Sequence, residues 1–220
     1  MSSKSNLPTE SKKLPKQERS RRTYQLILDS ASLVIRQEGM EKLSTNRVAA
    51  VAGISIGSLY QYFPTKVAIV AALIEQTFES EKSHVRSFLS ELAAGTRADE
   101  AAQRIFRHYY RFEKAEFVLR KALVDLTPAA ERAAAAMKYH GACANIIVGF
   151  FTSHFPVGAK DLSQATFVLK YILKGLTLSS VDAQVEALEP ELLVSQWAEI
   201  LLTLLHVPAD ARMTANTFSA

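Results

Sequence analysis

Two glycines and a proline, Gly39, Gly53 and Pro64, cut the early part of this chain into short helical pieces. Ser44 is placed to cap the first piece, and Val48, Ala49 and Ala52 supply its inner face. Gly53 sits at the break, where a residue without a Cβ lets the backbone turn sharply. Ser55 is placed to cap a second piece that runs to about Tyr62. Pro64 ends it, because the residue before a proline avoids the α region. Thr65 then caps a longer helix that starts at Lys66. The two short helices join through Ala52-Gly53-Ile54; Ala49 and Ala52 are small enough for a close crossing, and Val48, Ile54 and Leu59 form a little core. This is the anatomy of a helix-turn-helix.

Elsewhere apolar residues recur at helical spacing and no useful stretch alternates as a strand would, so the fold class is all-α. A helix from about Gln17 carries Tyr24, Ile27, Leu28, Ala31, Val34 and Ile35, with Leu33 off the stripe, and Gly39 ends it. The helix from Lys66 extends to about Leu92 on Val70, Leu73, Ile74, Phe78, Val85 and Phe88. Asp99 caps a helix bearing Ile105, Phe106, Tyr109 and Phe112, and a separate short helix covers about Phe117 to Leu126. Thr127-Pro128 starts the next, which runs to about His154. The last two, Leu162 to Leu188 and Glu191 to Leu205, are apolar on nearly every side. Such helices need burial on more than one face, and a second copy of the chain is the simplest source. The expected dimer contacts are Phe167, Tyr171, Leu176, Leu193, Trp197, Ile200, Leu201 and Leu204. The expected organisation is a disordered basic arm over 1–18, a helix-turn-helix domain over 19–66, a second helical domain over 67–208 and a flexible tail over 209–220.

Charge is distributed unevenly. Residues 1–66 hold eleven Lys and Arg against five Asp and Glu, an excess of six positive charges. The whole chain carries +4, so the remainder carries −2. A basic first third points to a polyanionic partner, although a solvated basic tail gives the same count. A single cysteine, Cys143, rules out an internal disulfide and a cysteine-based zinc site, and fits a reducing cytoplasm. The N-terminus lacks the apolar run of a secretory signal, and no segment reaches the ~20 apolar residues of a membrane span. No nucleophile–base constellation, phosphate loop or metal motif is visible, so no enzyme, cofactor or metal site is expected.

The second short helix offers Ser55, Gly57, Ser58, Tyr60, Gln61 and Tyr62, which are small or hydrogen-bonding types. Such a set suits entry into a DNA major groove about 12 Å wide. Gly57 allows close backbone approach, Gln61 suits a base edge, and Tyr60 and Tyr62 can reach phosphate and sugar. Thr45, at the start of the preceding helix, can donate to a phosphate, and Thr65 with Lys66 is placed to hold a second one. The plainer readings are packing for Tyr60 and Phe63, a cap for Ser55 and a solvated charge for Lys66. Lysine at the positive end of a helix is locally unfavourable, which makes better sense if an anion binds there.

The ordered set Arg22-Thr23, Ile27-Leu28, Ala31, Gly39, Ser44-Thr45, Val48-Ala49, Ala52-Gly53-Ile54-Ser55, Gly57-Ser58-Leu59-Tyr60, Tyr62-Phe63 and Lys66 resembles the N-terminal domain of the TetR/AcrR family of transcriptional regulators. The resemblance covers roughly Arg19 to Ile74. It implies DNA contacts from Thr45, Ser55, Gly57, Ser58, Tyr60, Tyr62 and Lys66, with Gln61 and Arg47 at variable positions that help set operator choice. It also implies a TetR-like fold of nine or so helices, a C-terminal ligand-binding domain and dimerisation through the last two long helices.

In the second domain Thr77, Glu81 and His84 share a helix face with Val70, Ile74 and Phe88, and polar groups on an apolar stripe suit a cavity wall. His108, Tyr109, Tyr139, His140, Cys143 and Phe151 are further lining candidates, a set fitted to an aromatic or amphipathic small molecule. Ordinary core polar residues would give the same pattern. The expected function is sequence-specific binding of a double-stranded DNA operator by a homodimeric repressor that a small-molecule effector releases. The alternatives are control by a protein partner, or activation in place of repression.

Overall fold

The structure, a computed structural model, describes residues 18–126, 129–179 and 190–214. Its helices are α1 (Glu18–Glu38), α2 (Thr45–Ala52), α3 (Ile56–Tyr62), α4 (Lys66–Ser90), α5 (Ala98–Leu126), α6 (Ala129–His154), α7 (Leu162–Ser179) and α8 (Pro190–Leu205). A 3-10 turn, Met40–Lys42, lies between α1 and α2. Among the described residues there is no strand, only one isolated antiparallel bridge between Arg97 and Arg212. None of these helices is long and apolar enough to cross a membrane.

The chain divides into two compact units. One comprises residues up to Phe78 together with Val118–Leu126, and the other Glu79–Phe117 with the residues from Thr127 onward. The boundary thus falls inside α4, twelve residues beyond the domain edge expected from sequence.

In the first unit the stripe of α1 is buried as its spacing predicts: Ile27, Leu28, Ala31, Val34 and Ile35 lie inside, while Leu33 is exposed. They pack on Val48 and Ala49 of α2, Leu59 of α3, Phe63, and Ile69 and Leu73 of α4. Leu119 of α5 joins the same core. The punctuation works through local hydrogen bonds. Ser44 Oγ accepts from the Arg47 N–H, and Gly53 turns left-handed (φ 65°), ending α2 with its N–H directed to Ala49 and Ala50 carbonyls. Ser55 Oγ accepts from the Ser58 N–H, and Thr65 Oγ1 accepts from the Ala68 N–H.

The chain beyond α4 departs from expectation in two places. The two helices foreseen over 99–126 are one, α5. The run Glu113-Lys114-Ala115-Glu116 interrupts the apolar stripe but consists of good helix formers, so the helix continues through it. Glu113 is fully buried. The expected flexible tail is ordered over 209–214. His206 adopts φ 50° and ends α8, with Val207 N–H donating to Leu202 O at 3.0 Å. The chain then crosses the start of α5: Ala98 N–H donates to Ala211 O at 2.8 Å and Asp99 N–H to Ala209 O at 3.1 Å. Met213 pairs with Gly95 and Thr96 through two backbone bonds and is buried. This strap caps two of the N–H groups that the first turn of a helix leaves unpaired. Thr127, Pro128 and residues 180–189, where a helix start and the end of α7 were expected, lie outside the described residues.

Leu59 has no exposed surface and links α3 to α1, α2 and α4. Leu59→Ala is expected to cost roughly 2–5 kcal/mol of stability, read as a lowered urea midpoint. A loss below about 1 kcal/mol would place Leu59 outside the core.

Candidate nucleic-acid interface

The first turn of α2 and the outer side of α3 meet at a pair of hydroxyls: Thr45 Oγ1 lies 3.3 Å from the Tyr60 hydroxyl. Tyr60 is 47% exposed, so its ring stands at the surface while its hydroxyl is held. Ser55 Oγ and Ser58 Oγ are 2.8 Å apart on the opening turn of α3. Gln61 is exposed and makes no side-chain hydrogen bond within the described residues. Tyr62 is different: it is half-buried, packs on the core, and its hydroxyl accepts from Ser20 Oγ at 3.2 Å. Lys66 Nζ donates to the Met40 carbonyl at 3.4 Å, which holds the ammonium beside the α1–α2 corner. Arg47 is engaged with Glu38, Nε at 3.1 and 3.0 Å from the two carboxylate oxygens and Nη2 at 2.6 Å from one. That bond lowers the Glu38 pKa and raises that of Arg47. Thr65 is exposed, with its hydroxyl used as a cap.

Gly57 is informative through what does not surround it. A Cβ built there meets only Ser55 Oγ, at 3.9 Å, and its backbone is not left-handed. Neither packing nor conformation inside the chain calls for glycine. Asn46, exposed on the first turn of α2 without a side-chain hydrogen bond among the described residues, was passed over in the sequence. Its signal was there: an amide adjacent to Thr45 in the opening turn of a helix.

Residues 27–73, which contain all of α2 and α3, match the family model described as bacterial regulatory proteins, tetR family. Over these residues the chain carries the N-terminal domain of the tetR family. A relative from Haemophilus ducreyi named nucleoid occlusion factor SlmA is 33% identical over 75 residues, 34% of this chain and 37% of that protein. A relative of the same name from Mannheimia succiniciproducens is 33% identical over 98 residues, 44% of this chain and 45% of that protein. The matched region therefore spans less than half the length of these curated relatives. Among solved structures, the transcriptional regulator FadR from Bacillus subtilis in complex with stearoyl-CoA superposes with a TM-score of 0.57 at 18% identity, covering 83% of this chain and 100% of that one. A TetR-family transcriptional regulator from Streptomyces coelicolor gives 0.55 at 20% identity over 84% and 98% of the two chains. These likenesses show a shared fold over more than four fifths of the chain.

The nine ligand-lining candidates fall into separate settings. Thr77, in the first unit, is buried and donates to Leu73 O at 2.8 Å. In the second unit Glu81, Tyr109, Tyr139, His140 and Cys143 are all buried. The Tyr109 hydroxyl bonds the Glu81 carboxylate and lies 3.2 Å from His140 Nδ1. Burial first, and then the carboxylates of Glu81 and Glu113, push the Tyr109 pKa well above its usual value. Tyr139 meets His140 edge-on at 5.0 Å. His84 is exposed and belongs to a second group, in which its ring faces Phe112 at 4.6 Å while His108 stacks on Phe88 at 4.2 Å. Phe151 packs with Phe150 and Phe155. A groove of about 800 Å³ runs between α6 and α7, lined by Gly141, Asn145, Gly149, Thr152, Phe167 and Lys170, and touches none of the nine. Of the dimer candidates, Phe167, Tyr171 and Ile200 are exposed, Leu193, Trp197 and Leu204 are half-buried, and Leu201 is buried in the chain's own core. The Leu176 side chain lies outside the described residues.

Two outcomes follow. Gly57→Ala is expected to leave the thermal midpoint unchanged or slightly raised and to weaken DNA binding; unchanged affinity in a binding titration would remove Gly57 from the interface. His108 is held below its ordinary value of 6.5, by burial and then by His84. The folded state therefore resists protonation that the unfolded chain accepts, so stability is whole above that value and falls as pH drops through it. His108→Phe should flatten the change in urea midpoint between about pH 7.5 and about pH 5.

Proposed function

We propose that this chain is a sequence-specific transcriptional regulator of the tetR family: a homodimeric repressor that acts in the cytoplasm and leaves its operator when a small molecule binds the second unit. The observation that carries the DNA-binding half is the exposed edge of α2 and α3. There Gly57 has open space, Gln61 is unengaged, and the Thr45–Tyr60 hydroxyl pair stands at the surface. Amide side chains suit base edges, and hydroxyls with helix N-termini suit phosphates. The exposed Phe167, Tyr171, Leu192 and Ile200 on α7 and α8 support a second copy as partner.

Small-molecule control is supported by the buried polar group around Tyr109 and by the fold shared with a regulator solved with stearoyl-CoA. The effector acts by binding one reader arrangement better than the other, a coupling of typically ~1–3 kcal/mol. A second reading, control by a protein partner, draws support from the exposure of His84 and from the lack of any shared lining between the groove and the candidate residues.

Selection of duplexes from a random library is expected to return one palindromic operator bound with steep salt dependence. Tyr60→Ala and Lys66→Ala should weaken binding to that operator with the dimer intact, and Lys66→Ala should lower the salt slope by about 1. Retained affinity in both variants would sink this assignment of the reader face.

A further inference from the structure

Glu38 occupies an odd place. It is an acid on the last residue of α1, the negative end of a helix dipole, where a cation is favoured. It also sits at the α1–α2 corner, beside the surface proposed to face DNA. Either circumstance alone argues against a carboxylate. What the carboxylate does is grip Arg47 across nine residues, taking Nε and one hydrogen of Nη2. The Arg47 side chain remains 47% exposed, and its Nη1 makes no bond within the described residues. A guanidinium carries five N–H donors in a fixed plane, so gripping the Nε–Nη2 edge leaves the Nη1–Nη2 edge with unused donors that can act as a second fork. Arg47 itself stands in the first turn of α2, with its backbone N–H on Ser44 Oγ and Thr45 two residues before it. Helix N-termini of this kind favour anions.

We infer that Glu38 is a positioning residue for DNA: it holds Arg47 so that the free edge of the guanidinium takes a backbone phosphate. This deepens the DNA-binding reading and rests on it, and it assigns Arg47 to phosphate holding and not to operator choice. A free arginine loses several rotamers when it meets a phosphate. Arg47 has already lost them in the free protein, so the contact forms with less entropic cost. The carboxylate also remains paired, so its charge is largely neutralised toward the phosphate.

The two explanations of Glu38 predict opposite signs. If Glu38 only places a negative charge near DNA, Glu38→Ala raises affinity. If it positions Arg47, Glu38→Ala lowers affinity by about three- to tenfold, the range that ordering one long side chain commands. The probe is a fluorescein-labelled random-sequence 30-base-pair duplex titrated with the full chain at several salt concentrations, since phosphate contacts need no operator. Arg47→Ala is expected to reduce the salt slope by about 0.9. In the Arg47→Ala background, Glu38→Ala should no longer weaken binding, and Arg47→Lys should lose affinity despite keeping its charge. Thermal midpoints of the variants exclude misfolding as the cause. Unchanged or tighter binding by Glu38→Ala, with wild-type binding normal, overturns the positioning role alone. Absence of salt-dependent binding by the wild type overturns the DNA-binding reading with it.

Discussion

Helices of eight and seven residues do not hold themselves in water, since isolated helices below about 12 residues are marginal even in favourable sequences. Everything α2 and α3 display therefore depends on Leu59, Val48 and Ala49 being seated against α1 and α4. The seat is closed by a left-handed glycine on one side of the turn and by serine caps at the start of each helix. The exposed edge is thus rigid because its other edge is buried, and hydroxyls such as those of Thr45 and Tyr60 can be held at one spacing. Preset geometry of this kind lowers the cost of meeting a repetitive, charged surface.

The caps were legible in the sequence because a cap is a local event: Ser44, Ser55 and Thr65 each bond a backbone N–H three residues on. The α1 stripe was legible for a similar reason, since its period is set by the helix itself. What could not be read were bonds between distant positions. Nothing local announces that Arg47 belongs to Glu38, that Tyr62 is held by Ser20, or that the start of α5 is capped by Ala209 and Ala211. The break expected near Glu113 failed for a different reason. A polar run inside an apolar stripe looks like a loop, yet here a carboxylate is taken into the interior. The lining candidates show the same limit, because spacing on one helix does not say which neighbour closes over it.

In the second unit four polar side chains form a buried group. Glu81, Glu113, Tyr109 and His140 are buried on three helices, with the Tyr109 hydroxyl bonded to both Glu81 and His140. Buried ionisable groups weaken a core unless their partners are in place, so such a network is a sensitive element of the fold. Its three helices are α4, α5 and α6.

The strap over 207–214 bears on the order in which the chain can be made. The N–H groups of Ala98 and Asp99 wait for carbonyls more than a hundred residues later, and Gly95 and Thr96 wait for Met213. The first unit likewise lacks Val118–Leu126 until that stretch of α5 exists. Domains emerging N-terminus first usually close in sequence order during synthesis. Here α2 and α3 can form early around α1, whereas the second unit keeps an open helix start until its last described residues have left the ribosome.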